Sequence, residues 1–350
     1  MLNGDKAVNI SVYGFFHACV DFCCAAIVYS YIGKIDIEEL FRMVIIYNAL
    51  AFGLQPLVGF VSDKTGMARN YAIAGCGIIA FSFLFLKVPI IAVSLAAVGN
   101  AFFHVGGGSV ILKISDGKSF LSGLFVAPGA IGLFLGAFLW KIPYFQLFWL
   151  SGLMVSGMII ISVLDEPAEI KTPFKFDGNK LLLWLTAFLI LFSVAIRSFI
   201  GLTYDFSQKG HFMLMFLFVF GVAFGKAFGG WFADKFGMFN TSVAALLISL
   251  PLLFHAYNPF TEIFGILLFN FTMPVTLTAL ADMMPERKGF AFGLTTLFLL
   301  IGALPPLLYN IKITHTAVFV VIVSISIIAT GIGLKIFEKV VKFSTENKND

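Results

Sequence analysis

The chain is a succession of long apolar runs, each ended by charged residues, proline, glycine or asparagine. A membrane-spanning helix needs about 20 mostly apolar residues, and most of the runs reach or nearly reach that length. The predicted spans are residues 8–31, 38–61, 71–87, 89–112, 119–140, 144–164, 180–203, 211–233, 240–256, 259–281, 289–310 and 315–336. The pattern therefore predicts an all-α polytopic membrane protein with twelve transmembrane helices.

The composition supports lipid as the main solvent of this chain. Of its 350 residues, 59% are apolar and only 12% are charged, and the mean hydropathy is +0.98. A soluble domain carries about 25% charged residues, so this chain could not cover a water-facing surface. The net charge of +4 is spread along the sequence and forms no patch, which argues against a nucleic-acid partner.

The four cysteines give no sign of a metal centre. Cys19, Cys23, Cys24 and Cys76 all lie inside apolar runs, and no further ligand follows at metal-binding spacing. We interpret them as buried structural thiols. No metal and no cofactor is predicted, and no nucleotide-binding loop or partnered nucleophile indicates an enzyme.

A polar stretch divides the runs into six and six. We predict an N-terminal six-helix bundle at 1–164, a cytoplasmic linker at 165–179, and a C-terminal six-helix bundle with a short cytoplasmic tail at 180–350. Lysine and arginine are more frequent in the loops on the side of the N-terminus, so both termini are expected in the cytoplasm of a cell-membrane protein.

The two halves repeat each other. Residues 59–66 read Gly-x-x-x-Asp-Lys-x-Gly, and residues 230–237 repeat that pattern. Residues 118–124 read Lys-x-Phe-x-x-Gly-Leu, and residues 288–294 repeat it at nearly the same offset. Several matches at one offset indicate a duplication, and two pseudo-symmetric six-helix bundles are a transporter architecture.

These motifs resemble those of the major facilitator superfamily. The stretch from Gly59 to Arg69 is similar to that family's signature loop after the second span, and 230–237 to its weaker copy. The resemblance implies two bundles around a central cavity, lined by spans 1, 4, 7 and 10, that opens alternately to either side. The predicted conformational gate comprises Gly59, Asp63, Lys64, Gly66, Arg69, Asp234 and Lys235. A plain topogenic loop is the alternative, most of all for Arg69.

Two further stretches resemble exporters of that superfamily. Residues 123–132 in span five are similar to the glycine–proline motif of drug:proton antiporters, with Ala127 in place of a glycine. In span four, Phe102 stands where those antiporters have an arginine. Residues 104–108 resemble a stretch of fosmidomycin-resistance-type exporters.

Span one carries the strongest candidate for proton coupling. Ionisable groups inside a membrane are functional candidates by default. His17 and Asp21 lie four residues apart and therefore share a helix face, with Tyr13 one turn away. An imidazole titrates near neutral pH, so this pair could take up and release a proton. The alternative is a hydrogen-bonded pair that fixes packing between spans.

Span four presents a second polar face. Asn100 and His104 are also four residues apart. The glycines at 106–108 leave room beside them for a ligand or for a closely packed helix. Asn270 is the counterpart of Asn100 in the second half. We predict His104 as a proton-coupling residue and both asparagines, with Tyr13, as substrate contacts; hydrogen bonding between helices is the alternative for the asparagines.

The second half contributes two cations. Ser193, Arg197, Gly201 and Tyr204 follow helical spacing along span seven, and the planar guanidinium of Arg197 suits a carboxylate or phosphate. Lys226 in span eight is about 12 Å deep by helical rise. Arg197, Tyr204 and Lys226 are predicted substrate contacts, although both cations could instead reach the interface.

Together these features predict a monomeric secondary transporter that moves a small organic solute by alternating access and is coupled to protons or another ion. Its partners are the small-molecule substrate, the coupling ion and the lipid bilayer. The exporter-like motifs favour efflux of an organic anion or an amphiphilic drug. Uptake of an anionic or zwitterionic metabolite by symport, and a non-transporting membrane sensor or scaffold, are the alternatives.

Overall fold

The computed structural model describes residues 4–165, 179–204, 211–254, 258–313 and 315–346. Most of the predicted linker lies outside these residues. The described chain is helical throughout and contains no strand. Its α-helices are α1 Gly4–Tyr29, α2 Ile37–Gly53, α3 Gln55–Thr65, α4 Ala68–Ser82, α5 Pro89–Ser115, α6 Ser119–Ala137, α7 Tyr144–Leu147, α8 Leu150–Ser162, α9 Lys180–Thr203, α10 Phe212–Phe236, α11 Met238–Phe254, α12 Pro259–Phe269, α13 Thr272–Met283, α14 Lys288–Tyr309 and α15 Thr316–Glu346.

These helices confirm the predicted all-α membrane fold. Within the described residues, ten spans are long and apolar enough to cross a membrane, with α2–α3 and α12–α13 each forming one span. The helices α8 and α11 are shorter and apolar. The ten spans and the two shorter helices together match the twelve apolar runs of the sequence.

The continuous run of apolar residues at 144–164 does not form one helix. It divides into α7 and α8, with Phe148 and Trp149 in a turn between them. The hydroxyl of Ser151 donates to the carbonyl oxygen of Phe148 over 2.6 Å. The same carbonyl also accepts the backbone N–H of Ser151 over 3.0 Å, so both bonds stabilise the turn.

Two of the spans are interrupted in the middle. Span two breaks at Leu54, where Pro56 follows and cannot donate a backbone hydrogen bond. Span ten breaks at Asn270 and Phe271. The side chain of Asn270 donates to the carbonyl oxygen of Ile266 over 2.8 Å, and its backbone N–H donates to the same oxygen over 3.1 Å, so the last turn of α12 stays hydrogen-bonded at the break.

The chain forms two compact units. Unit 1 comprises the described residues of Met1–Ile114, Leu124–Glu169 and Arg287–Leu297. Unit 2 comprises those of Ser115–Gly123, Ile170–Glu286 and Phe298–Asp350. Each unit thus includes the beginning of one helix from the other half of the sequence: α14 in unit 1 and α6 in unit 2. The division of the sequence at its central polar stretch stays a prediction.

Glycines bring α1 and α6 close together in unit 1. A Cβ atom at Gly132 would overlap the backbone of Ala18, and one at Gly136 would overlap the backbone of Phe22. Only glycine allows this approach of the two helices. The same face of α6 therefore lies directly against the polar face of α1.

Candidate functional site

A buried cluster in unit 1 joins three of the predicted residues. Asp21 lies between two imidazoles: its Oδ2 is 3.3 Å from His17 Nε2 and its Oδ1 is 3.4 Å from His104 Nε2. The two imidazole rings meet edge to face with centroids 4.4 Å apart. Asn100 Nδ2 donates to Asp21 Oδ1 over 3.0 Å. The structure thus brings together the two polar faces that the sequence predicted separately.

Three helices position this cluster. His17 and Asp21 are one turn apart on α1, and Asn100 and His104 are one turn apart on α5, so each helix presents a pair. Gly129 of α6 closes the third side. A Cβ atom there would lie 2.5 Å from both Asp21 Oδ2 and His17 Nε2. A glycine at this position leaves the space that the carboxylate and the imidazole occupy.

Backbone carbonyls determine which imidazole nitrogens carry hydrogen. His17 Nδ1 lies 2.7 Å from the carbonyl oxygen of Phe125, and His104 Nδ1 lies 2.9 Å from that of Asn100. A carbonyl can only accept a hydrogen bond, so we assign a hydrogen to both Nδ1 atoms. Both Nε2 atoms then face Asp21. A neutral imidazole would turn a lone pair toward the carboxylate there, whereas a protonated one would donate to it.

The members of the cluster differ in their access to solvent. The side chain of Asp21 is 19% exposed, while that of His17 is 6% exposed. Asn100 and His104 are also buried. Asp21 is therefore the most exposed member of the cluster, since the side chain of His104 is 11% exposed.

Two weaker polar groups adjoin the cluster. Asn100 Nδ2 lies 3.9 Å from Cys24 Sγ, and that thiol donates to the carbonyl oxygen of Ala96 over 3.5 Å. Tyr47 of α2 lies near this thiol. The ligand atoms of His17, Asp21 and His104 all lie within 4.8 Å of one another, a spacing that a divalent cation could also use.

The glycines at 106–108 serve helix packing. A Cβ atom at Gly106 would overlap the backbone of Ala72, and one at Gly108 would lie 2.5 Å from the ring of Phe292. Of the two explanations that the sequence left open, a closely packed neighbour accounts for this space. Tyr13, which is 1% exposed, packs beside Gly107, where a Cβ atom would lie 3.1 Å from its ring.

A second group of buried polar residues lies in unit 2. Arg197 is 6% exposed, so its side chain does not extend to the interface. Its Nη1 donates to Thr272 Oγ1 over 3.0 Å. The hydroxyl of Tyr204 donates to Glu262 Oε1 over 2.9 Å. The sequence did not point to Glu262, because this residue lies close to one end of the predicted span 259–281.

The other two predicted substrate contacts of the second half, Lys226 and Asn270, have different surroundings. Lys226 is half-buried, and its backbone carbonyl packs where a Cβ atom of Gly123 would lie. Asn270 bonds to a carbonyl of its own helix. The substrate roles of both residues stay predictions.

The signature loop after span two caps the start of a later helix in unit 1. Asp63 accepts hydrogen bonds from the backbone N–H groups of Gly289 at 2.9 Å and Phe290 at 2.8 Å. Gly59 lies against the backbone of Gly289, where a Cβ atom would overlap it. Gly66 ends α3 in the left-handed conformation with φ +70°, which glycine adopts without strain.

The repeated loop does the same in unit 2. Asp234 accepts from the backbone N–H groups of Ser119 at 2.7 Å and Phe120 at 3.1 Å. Gly230 lies against the backbone of Ser119. The motif at 59–66 therefore pairs with the one at 288–294, and the motif at 230–237 pairs with the one at 118–124.

The cations of the predicted gate make different contacts. Arg69 Nη1 donates to the carbonyl oxygen of Leu164 over 2.7 Å and thereby ties α4 to the end of α8. Lys235 packs its ammonium over the ring of Trp231, 5.3 Å from the centroid. Lys64 is exposed. None of these three bonds to the capping aspartates in the described part of the chain.

No protein-family model matches the sequence, and no curated protein sequence matches it significantly. Solved structures do match. The E. coli fucose:proton symporter FucP superposes with a TM-score of 0.67 at 10% identity, covering 94% of this chain and 99% of that one. The human organic anion transporter MFSD10 gives 0.64 at 15% identity, covering 97% and 100%. FucP in the outward conformation, described as a Major Facilitator Superfamily transporter, gives 0.61 at 12% identity, covering 92% and 99%.

The chain therefore has the fold of the major facilitator superfamily transporters, over nearly its whole length. At identities of 10–15%, the likeness establishes the fold and leaves the chemistry to the residues of this chain.

Proposed function

We propose that this protein is a secondary transporter that couples the movement of a small organic solute to protons. The observation that carries the proposal is the contact of one carboxylate with two imidazoles whose Nδ1 atoms both face backbone carbonyls. Such a cluster lies inside membrane-spanning helices, where ionisable groups need a functional reason.

The cluster can change its charge in single steps. With both imidazoles neutral it carries one negative charge, which Asn100 stabilises by donating to Asp21. A first proton on either Nε2 makes a new hydrogen bond to Asp21 and a net charge of zero. A second proton makes the other bond and a positive charge. Because Asp21 is the accessible member, protons would enter there and be shared with His17 and His104.

The capping aspartates are the proposed conformational latches. Each bonds two backbone N–H groups at the first turn of a helix, where the helix dipole also favours a negative charge. These bonds stabilise one arrangement of the chain. A transporter that exposes its solute to one side and then the other must weaken such contacts and re-form them, since a ligand can act only through a difference between two states.

Two of the similar structures are compatible with this proposal. Those proteins are a fucose:proton symporter and an organic anion transporter, so the fold serves both proton coupling and anionic solutes. A scaffold with this fold would not need a carboxylate that can exchange protons inside the membrane, whereas a sensor would use it without moving any solute.

Solute-dependent proton movement in proteoliposomes tests the proposal. The purified chain is reconstituted with a trapped pH-sensitive dye, and a panel of sugars, carboxylates and amphiphilic cations is added outside. We expect at least one solute to change the internal pH, and the change to disappear in empty liposomes. A protein that binds solutes from the panel without moving protons or solute would be a sensor or scaffold, and the proposal would be wrong.

A further inference from the structure

Arg197 is a buried cation without a counter-charge in the described part of the chain. It lies inside α9 and is 6% exposed. Its Nη1 donates to the neutral hydroxyl of Thr272. Its Nη2 is buried and meets no acceptor among the described residues, and no carboxylate there forms an ion pair with it. One half of the guanidinium fork is thus unused.

The guanidinium sits at the start of a half-helix. Span ten is interrupted at Asn270 and Phe271, and Thr272 is the first residue of α13. No side chain caps this N-terminus, although the start of a helix carries a partial positive charge. The fork of Arg197 and this helix end therefore present two sources of positive potential at one place. Interrupted membrane helices whose N-termini face anionic groups are a recurring way to bind charged solutes.

The buried guanidinium of Arg197 costs folding free energy, so its presence needs a functional explanation. Arginine stays protonated in proteins, and a buried ion without a partner strongly destabilises the fold. A merely structural tie between spans seven and ten would need only a neutral donor to Thr272 Oγ1, and the Thr272 hydroxyl already donates to the carbonyl oxygen of Phe269 at 3.3 Å.

We propose that Arg197 and the N-terminal end of α13 bind the anionic group of the transported solute, a carboxylate, sulfonate or phosphonate. This inference rests on the proposed transport function and gives its solute class. The free Nη2 and the bound Nη1 offer a planar oxyanion a two-pronged contact, while Thr272 holds the fork in place.

Binding is tested without any transport. The full chain in lipid nanodiscs is melted alone and with millimolar benzoate, benzenesulfonate or phenylphosphonate, and with benzamide as the neutral isostere of benzoate. We expect at least one anion to raise the melting temperature in proportion to its concentration, and benzamide to have no effect. If no anion of the three stabilises the wild-type protein, the proposal is wrong.

Variants separate binding from structure. Arg197→Met should lose the anion-dependent rise, corresponding to a loss of affinity of about 30-fold or more, yet melt at or above the temperature of the ligand-free wild type because the unpaired charge is gone. Arg42→Met is the matched control: it removes an exposed arginine of α2, outside the proposed site, and should keep the rise. An anion effect that survives in Arg197→Met contradicts the proposal.

Should Arg197→Met fail to fold, Arg197→Lys decides. A weaker rise supports the proposal, because lysine keeps the charge and loses the planar fork, and an undiminished rise overturns it. The result is independent of the proton measurement. Anion binding without solute-dependent proton movement would refute the transport proposal and leave this site standing.

Discussion

Asp63 and Asp234 make the same pair of hydrogen bonds in the two compact units. Each carboxylate accepts from two successive backbone N–H groups at the first turn of a helix, Asp63 on α14 and Asp234 on α6. The capped turns are themselves repeats of one another in the sequence. The duplication has therefore preserved a contact, and both partners of that contact, rather than one motif alone.

Removing either cap should destabilise the protein. Replacing a capping aspartate by alanine costs about 1–2 kcal/mol, so Asp63→Ala and Asp234→Ala should each lower the melting temperature by roughly 2–4 °C per kcal/mol. Glu38→Ala is the control, because the pair of Glu38 with Arg42 is exposed on both sides and such pairs contribute little. If either aspartate variant melts at the same temperature as Glu38→Ala, the caps do not stabilise this arrangement.

A single methyl group at Gly129 should uncouple transport without unfolding the chain. A Cβ atom there would lie 2.5 Å from the reacting ends of His17 and Asp21, and those side-chain ends can move apart. We expect Gly129→Ala to melt near the wild type and to lose proton-driven accumulation in proteoliposomes.

Alanine variants of two other glycines serve as references for the stability of Gly129→Ala. Gly132→Ala forces its methyl group against the backbone of Ala18 and should cost about 1–3 kcal/mol by overpacking. Gly152→Ala meets nothing within 4 Å and should be neutral or stabilising by up to about 1 kcal/mol. Full accumulation by Gly129→Ala would exclude the close contact of α6 with the cluster from any role in coupling.

Tyr204 and Glu262 should be energetically coupled. The phenol donates to a carboxylate that is 1% exposed, and removing a hydrogen-bond donor from a buried acceptor costs about 1–3 kcal/mol. We expect Tyr204→Phe to destabilise the chain, and to do so much less when Glu262 is already leucine. Tyr309→Phe is the control, since Tyr309 is 76% exposed. Additive effects in this double-mutant cycle would argue that the hydrogen bond contributes nothing.

The two imidazoles should contribute similarly to the binding of protons at Asp21. Each donates one charge-assisted hydrogen bond when protonated, worth roughly 1.5–3 kcal/mol. His17→Gln and His104→Gln should therefore each weaken proton-driven accumulation by about tenfold or more and leave a residual activity, because one imidazole remains. An unchanged pH profile in both single variants would remove the histidines from the coupling site.

Much of the fold was predictable because each helix that crosses a bilayer requires a long apolar run, which is visible in the sequence. Runs of about 20 apolar residues have no other stable use, and short loops leave little freedom. The interruptions at Leu54 and Asn270 were harder to predict, since hydropathy stays high across them. Proline marks the first break, and a side-chain bond within α12 supports the second.

The candidate site was predictable in parts and not as a whole. Helical spacing paired His17 with Asp21 and Asn100 with His104, but the meeting of the two pairs depends on how α1 and α5 pack, which spacing does not determine. The role of Gly129 needed the third helix. Glu262 was missed because it lies near the end of its predicted span, where an acid is ordinary; its burial and its bond to Tyr204 are tertiary facts.

Accumulation driven by a pH gradient, measured beside exchange in the same proteoliposomes, tests the central claim most directly. Wild-type protein should concentrate its solute when the gradient is imposed and should also exchange labelled for unlabelled solute without one. Asp21→Asn, which keeps the shape of the side chain and cannot hold a carboxyl proton, should exchange normally and fail to concentrate. Undiminished accumulation by Asp21→Asn under the gradient would contradict the account.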